Sequence, residues 1–383
     1  MTELSSAPHP VVLQVLPALG GGGVERGTVE MSAAITKAGG TALVASAGGM
    51  LASSVERAGG RNVLIKSMPS KNPWRIWRNA SVLADVIRSE KVDLVHARSR
   101  APAWSAYWAT RRTGTPFVTT YHGAYNENVV GKRRYNEVMA KGDLVIAISN
   151  FIANLILTRH HIDPARIRMI YRGVDPAIFD PDRVSPDRIM KLSRAWRLDD
   201  GQPVVLLPGR ITRWKGQTVL IEALSKMALK DVCVVLVGAD QGRSKFVAEL
   251  TAMAEALGVA RRLRIVGHCD DMPAALKLAD VVVNASTDPE AFGRVVIEAQ
   301  SMACPVIGTD HGGAVETIDH DVTGWRVPPG DATALAQALD YVLSLSGEDR
   351  AAVGQAARQS VKDNYTTARM QAATIAVYQE LLG

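Results

Sequence analysis

Short apolar runs recur along the chain, each followed by a longer stretch whose apolar positions fall three and four residues apart. Val11-Val-Leu-Gln-Val-Leu16 is the first run, and others lie near 41–46, 62–65, 92–95, 116–120, 143–147 and 167–170. The rhythm restarts with Pro203-Val-Val-Leu-Leu-Pro208 and continues at 232–237, 263–266, 281–285 and 305–308, with a further strand stopped by Pro328-Pro-Gly330. Runs of this length predict buried strands, and the periodicity between them predicts helices. Strand alternating with helix in this way points to mostly parallel sheets covered on both faces. Ligands of such sheets bind beyond the carboxyl ends of the strands.

A length of 383 residues exceeds what one core usually organises, so two domains are expected. Gly173, Pro176, Pro181, Pro186 and Gly201 interrupt a polar, charged run between the two series of strands. The expected division is a first domain over 1–180, a linker over 181–201 and a second domain over 202–365. Met370, Ile375, Val377, Tyr378 and Leu381 give 366–383 a helical apolar pattern, expected to pack back on the first domain. No repeat of 20–50 residues and no low-complexity tract is visible.

Composition narrows the class. With 47% hydrophobic and 21% charged residues the chain reads as globular, and no apolar run approaches the roughly 20 residues of a spanning helix. The start, Met1-Thr-Glu-Leu-Ser-Ser-Ala-Pro-His-Pro10, lacks the layout of a signal peptide, so a cytoplasmic location is expected. Cys233, Cys269 and Cys304 are too scattered for a disulfide framework or a zinc site, and buried packing is their expected role. The net charge of +6 is uneven: 22 Lys and Arg face 13 Asp and Glu in 1–180, a balance of +9, and 22 face 25 in the remainder, a balance of −3. A basic first half suits an anionic partner, either a phosphorylated lipid surface or a charged acceptor. Nucleic acid is not an expected partner, because zinc-finger spacing and an aromatic-basic RNA signature are both missing.

Candidate chemistry gathers at the strand ends. Gly20-Gly-Gly-Gly-Val-Glu-Arg26 turns from strand to helix, where glycine lets backbone amides approach a phosphate or sugar, or simply forms a tight turn. G-x-G-x-x-G fails here, since Glu25 and Arg26 occupy the closing positions, so a nicotinamide cofactor is not expected. His96 and His122-Gly123 also follow predicted strands, His122 being the stronger candidate. Arg210 and Lys215 follow the first strand of the second half and suit a diphosphate, guanidinium binding as a fork and ammonium as a point charge. The P-loop pattern is not met, which disfavours ATP hydrolysis. Asp288-Pro-Glu-Ala-Phe-Gly-Arg-Val-Val-Ile-Glu298 places one carboxylate before a helix and another two turns inside it. The first-turn amides of that helix lack intrahelical acceptors and form a positive end. Asp180-Pro-Asp182 is formally a metal-bridging pair, yet no buried strand immediately precedes it, and linker acidity is the expected reading. Trp74, Arg75, Trp77 and Arg78, with Lys132, Arg133 and Arg134, form either a lipid-facing contact or an ordinary amphipathic, solvated basic face.

Taken together these stretches resemble a known family. Gly20-Gly-Gly-Gly-Val-Glu25, Tyr121-His-Gly123, Arg172-Gly-Val-Asp175, Gly209-Arg210 with Lys215-Gly216, and Glu290-x7-Glu298 fall in the order found in retaining glycosyltransferase family 4. Nearly the whole chain is covered. The resemblance implies the GT-B fold, two Rossmann-like parallel-sheet α/β domains facing across a cleft, the second binding the nucleotide sugar. It implies that Arg210 and Lys215 bind the donor diphosphate beside Gly209, and that Glu298 holds the nucleotide ribose. Glu290 and the amides of Ala291, Phe292 and Gly293 contact donor-sugar hydroxyls, His122 lies near the reacting sugar, and Gly21, Gly22 and Gly23 close over the diphosphate. The family's usual E-G-F-G is Glu290-Ala-Phe-Gly293 here. Val95-His-Ala-Arg-Ser-Arg-Ala-Pro102 and Gly209-Arg-Ile-Thr-Arg-Trp-Lys-Gly-Gln217 resemble bacterial lipopolysaccharide-core glycosyltransferases, some of them mannosyltransferases. The implied reaction is retaining transfer of a hexose from GDP-mannose or a UDP-hexose, without a metal or other cofactor, to a lipid-linked glycan such as lipopolysaccharide core. It would occur at the inner face of the cytoplasmic membrane. A small soluble acceptor such as a sugar phosphate, or a non-catalytic sugar-nucleotide-binding protein, is the alternative.

Overall fold

A computed structural model describes residues 9–127 and 129–383; the expectation drawn from Met1 to Pro10 falls largely outside them. The chain forms two compact units, one running to Tyr171 and resuming over Thr367–Gly383, the other Arg172–Thr366. None of the described helices is long and apolar enough to cross a membrane.

The first unit holds a seven-stranded parallel sheet of β1 (Val11–Val15), β2 (Thr41–Ser46), β3 (Arg61–Leu64), β4 (Leu94–Ala97), β5 (Phe117–Tyr121), β6 (Leu144–Ala147) and β7 (Ile167–Met169), in the order β3-β2-β1-β4-β5-β6-β7. Burial of every residue explains the continuous apolar run Leu-Val-Ile-Ala of β6, while the equally buried β4 and β5 also enclose His96, Thr119 and Thr120. The closing helix Thr367–Leu382 completes this core: Met370, Ile375, Val377 and Tyr378 join Met31 and Ile35 of the Gly23–Lys37 helix and Val12, Leu94 and Val118 of the sheet. Burial of that apolar stripe carries the helix back to the first unit.

His96 departs from its expected position. β4 runs two residues further than the apolar pattern suggested, which places His96 inside the strand, buried, with Nδ1 2.7 Å from Tyr378 Oη and Nε2 2.7 Å from Thr120 Oγ1. Both ring nitrogens are engaged, so His96 joins the closing helix to the sheet rather than lining a strand-end site.

The second unit is a six-stranded parallel sheet of β8 (Val204–Pro208), β9 (Cys233–Val237), β10 (Leu263–Gly267), β11 (Val281–Asn284), β12 (Val306–Thr309) and β13 (Trp325–Val327), in the order β10-β9-β8-β11-β12-β13. Its core centres on Val205, Leu207, Val234, Leu236, Val281, Val283 and Ile307, with Leu220, Leu224, Leu335 and Leu339 from the covering helices. Cys233, Cys269 and Cys304 are all buried and unpaired.

The stretch read as a linker belongs to this second unit, whose boundary falls at 171/172 rather than at 180. Pro186, counted as an interruption, instead starts the helix Pro186–Trp196 behind Ser185; proline at the first helical position loses only an amide that had no partner. The helix turns Ile189 and Leu192 inward, buries Trp196, and fixes Arg188 to Asp271 by two bonds of 2.6 and 2.8 Å. Asp180 and Asp182 are both taken by Arg358, at 2.7 and 3.4 Å, which gives the formal metal-bridging pair a structural cation instead.

Candidate active site

In each sheet the strand order reverses once, between β1 and β4 in the first unit and between β8 and β11 in the second. Connections leave such a point in opposite directions and open a crevice beyond the strand ends. In the second unit the crevice lies between the loop after β8, which carries Gly209, Arg210 and the 3₁₀ turn Arg213–Lys215, and the loop after β11, which leads to the helix Arg294–Ser301.

These two loops lie backbone to backbone. Gly216 has φ +73°, and a Cβ there would sit 1.8 Å from the carbonyl oxygen of Ala285, so only glycine fits. The Thr287 amide donates to the Trp214 carbonyl at 2.8 Å. This contact brings together two side chains 75 residues apart: Lys215 Nζ lies 2.6 Å from Glu290 Oε1, each side chain only 14% exposed. Ser286 Oγ lies 2.5 Å from the same carboxylate oxygen and 2.9 Å from Asn284 Oδ1. The Lys215 ammonium also sits 4.5 Å from the centre of the Trp214 ring, a cation over an aromatic face.

The electrostatics of Glu290 follow. Burial pushes its carboxyl up, but the Lys215 charge and hydrogen bonds from Lys215, Ser286 and Asn284 outweigh burial and hold it below the ordinary carboxylate range. The stabilisation from this pair is therefore complete above the unfolded carboxyl value, about 4.3, and is lost only as pH falls through the lower folded value. Replacing Lys215 by Met removes the counter-charge and leaves the burial. Glu290 in that variant is expected to titrate above the ordinary range, as read from the pH dependence of its carboxyl carbon-13 shift. A resonance that still titrates at the depressed value would show that Ser286 and Asn284 suffice.

A third loop braces this arrangement. The Gly313 amide donates to the Glu290 carbonyl at 2.8 Å, His311 Nε2 lies 2.8 Å from the Ser286 carbonyl, and a Cβ on Gly313 would meet Phe292 Cα at 2.4 Å. The stretch Gly308–Gly313 thus buttresses residues 286–292. Gly293 caps the following helix without any side-chain cap; its carbonyl accepts from the Val296 amide at 2.9 Å. Phe292 is buried edge-on to Tyr365, ring centres 5.9 Å apart, which fixes the backbone of Ala291 and Gly293 on either side. Glu298 lies inside the helix, 3.4 Å from Arg294. Arg210 is exposed, and its side chain makes no hydrogen bond or ion pair among the described residues; its carbonyl accepts from buried Gln217 at 3.0 Å.

Comparison with known proteins agrees with this arrangement. Residues 189–360 match the model described as glycosyl transferases group 1, and residues 21–178 match that described as glycosyltransferase family 4. The chain is 30% identical over 326 residues to a D-inositol 3-phosphate glycosyltransferase of Salinispora tropica, covering 78% of this chain and 67% of that protein. The crystal structure of a glycosyltransferase from Rickettsia africae ESF-5 superposes with a TM-score of 0.90 at 38% identity, covering 98% of this chain and 99% of that one. The chain belongs to the group 1 and family 4 glycosyltransferases. The fold is also that of Anabaena HepE, whose crystal structure holds UDP and glucose: TM-score 0.83, 24% identity, 96% of this chain and 99% of that one. Two Rossmann-like parallel sheets with these neighbours are the GT-B architecture.

The remaining candidates of the glycosyltransferase lie in its first unit. The loop after β1 carries Gly21, Gly22 and Gly23, the last opening the helix Gly23–Lys37. None of residues 20–23 has a left-handed φ, so no backbone torsion there requires glycine. The loop is open rather than crowded: nothing lies within 4 Å of a Cβ on Gly20, and a Cβ on Gly22 would meet only the end of the Glu25 side chain, at 2.4 Å. His122 is half-buried directly after β5. The helix Pro73–Ser89 is capped by Asn72, whose side chain accepts from the amides of Trp74 and Arg75, and it leaves Trp74 65% and Trp77 53% exposed. Arg133 donates to the Arg159 carbonyl at 3.0 Å, whereas Lys132 and Arg134 form no ion pair among the described residues. The structure thus joins Lys215 to Glu290, sets Ala291 to Gly293 and Glu298 on the same loop and helix, and holds His122 and the glycine loop in the other unit. Asn284 and Ser286 were missed; their signal was a polar residue ending an all-valine strand.

Proposed function

We propose that this glycosyltransferase moves a hexosyl group from a nucleotide diphosphate sugar, GDP-mannose or a UDP-hexose, to a phosphate-bearing acceptor, with retention and without a metal. The observation that carries the donor half is the Lys215–Glu290 pair beside the β8/β11 reversal. An ammonium has three N–H donors. One meets Glu290, leaving two for diphosphate oxygens, and exposed Arg210 adds a fork that no neighbour occupies. Glu290, held ionised, accepts from donor-sugar hydroxyls, and Glu298 accepts from the ribose. As the sugar–phosphate bond breaks, negative charge grows on the diphosphate and positive character on the sugar. Fixed cations and the amides of Ala291 to Gly293 stabilise the first of these. The open Gly21 to Gly23 loop admits phosphate oxygens close to the backbone, and His122 orients the reacting sugar.

The acceptor half rests on charge. The first unit carries 22 Lys and Arg against 12 Asp and Glu, a balance of +10. Exposed Trp74 and Trp77 beside Arg75, Arg78, Lys132, Arg133 and Arg134 support a lipid-linked glycan, such as lipopolysaccharide core, met at the inner face of the cytoplasmic membrane. The relatives named for inositol 3-phosphate favour a small soluble acceptor. Both acceptors carry a phosphate that a basic unit would attract.

Thermal-shift screening with UDP-, GDP- and ADP-sugars tests the donor half: a donor at about 100 times its dissociation constant should stabilise by roughly 2.7 kcal/mol. No shift together with no nucleotide release from any of them would refute the transfer reading. For the acceptor half, changing Arg75, Arg78, Lys132, Arg133 and Arg134 to Gln should weaken sedimentation with anionic vesicles, at about 1 kcal/mol per charge near the surface. Unchanged sedimentation would leave the soluble acceptor as the better reading.

A further inference from the structure

We infer that a separate concavity on the flank of the first unit binds an anionic, ring-shaped portion of the acceptor, a phosphorylated sugar residue distinct from the one that receives the hexose. It rests on the reading of the acceptor as a phosphate-bearing glycan. The concavity measures about 730 Å³ and lies between the first turn of the Pro73–Ser89 helix, the middle of the Arg100–Thr113 helix and the segment Gly131–Lys141. Its volume is in the range of sites that enclose small organic ligands, roughly 300–1,000 Å³.

Its walls are aromatic and held in place. Trp104 donates its indole N–H to the Tyr135 carbonyl at 3.0 Å, packs edge-on to Tyr107 at 6.2 Å and lies 5.5 Å from Trp108. Tyr107 is backed in turn by Phe117 of the sheet at 6.2 Å. With its donor spent on a neighbouring carbonyl, Trp104 offers ring surface rather than a polar tip. The C–H bonds of a pyranose ring, polarised by its oxygens, present positive charge to the negative face of such rings.

The charges around the walls select an anion. Lys141 is neutralised by Glu137 at 2.6 Å. Lys71 and Arg134 line the same concavity and have no ion-pair partner among the described residues. Two free cations, one with the planar fork that matches phosphate oxygens, flank the aromatic walls. A membrane surface would instead call for apolar side chains that protrude. Trp74 and Trp77 do protrude, and neither lines this cavity. Rings facing an open concavity suit a ring ligand laid against them.

The test uses the full chain and calorimetry with three probes: a phosphorylated trisaccharide, the same trisaccharide after phosphatase treatment, and inorganic phosphate. Saturation-transfer NMR identifies which sugar protons touch the protein. The phosphorylated form is expected to bind at least ten-fold more tightly than the other two. Lys71→Gln with Arg134→Gln should reduce its affinity to that of the dephosphorylated form, and Trp108→Ala should weaken the saturation transfer to ring protons. Both cations are exposed, so the charge variant tests the site even if the tryptophan variant folds poorly. Binding indifferent to these variants, or phosphate alone binding as tightly as the trisaccharide, would overturn the proposal. So would anionic vesicles losing affinity in Trp108→Ala while the trisaccharide keeps its own. Sugar-nucleotide turnover by the unaltered chain is measured alongside: turnover without trisaccharide binding sinks the pocket and leaves the transfer reading standing, whereas binding without turnover does the reverse.

Discussion

Lys215→Ala is expected to lower turnover by about 10²–10³-fold, the loss of roughly 3–4 kcal/mol that follows removal of one preorganised charge-stabilising donor. Two effects add in this variant. The diphosphate loses an ammonium at the crevice, and Glu290, 14% exposed, loses the counter-charge that keeps it ionised. Breaking a buried pair from one side typically costs about 3–5 kcal/mol because the surviving charge is stranded. Stability should therefore fall together with rate. The double variant Lys215→Met with Glu290→Gln separates the two: stability should largely recover, because no charge is left buried, while turnover stays low. Nucleotide release at the unaltered rate in Lys215→Ala would remove the diphosphate role, and a double variant less stable than the single one would remove the account of the pair.

Gly216→Ala is expected to have the largest effect on stability among single glycine changes near the crevice. Two costs coincide there, a left-handed φ and a Cβ 1.8 Å from the Ala285 oxygen. The first is about 1–2 kcal/mol; the second forces the β8 and β11 loops apart and adds to it. A total of about 3 kcal/mol lowers the melting temperature of a unit of this size by roughly 6–12 °C. Gly201→Ala is the control, with φ +79° in the same unit and nothing within 4 Å of its Cβ. It should show the backbone cost alone. Equal shifts in the two variants would mean that the approach to Ala285 is not what fixes Lys215 against Glu290.

The rhythm of strands and helices was legible because parallel strands buried on both faces read as nearly continuous apolar runs. Boundaries were less so. The end of β4 was set two residues short because His96, polar by type, satisfies both ring nitrogens against residues 24 and 282 positions away. Proline and glycine density suggested a linker at 181–201, yet Ser185, Pro186 and the spacing of Ile189, Leu192 and Trp196 specify a helix that packs on the distant helix Met272–Leu278, with Arg188 paired to Asp271.

By itself, then, the chain determined its alternating elements, its division in two, its uneven charge and the loops that end in chemistry-bearing side chains. All of these depend on residue type and short-range spacing. Only the tertiary structure decided that Lys215 pairs with Glu290, that Asn284, Ser286 and Gly313 brace that pair, and that Asp180 and Asp182 serve Arg358. Strand order is the reason. The sequence lists β8 and β11 three strands apart, and hydrogen bonding between their backbones, which carries no signature in residue type, makes them neighbours.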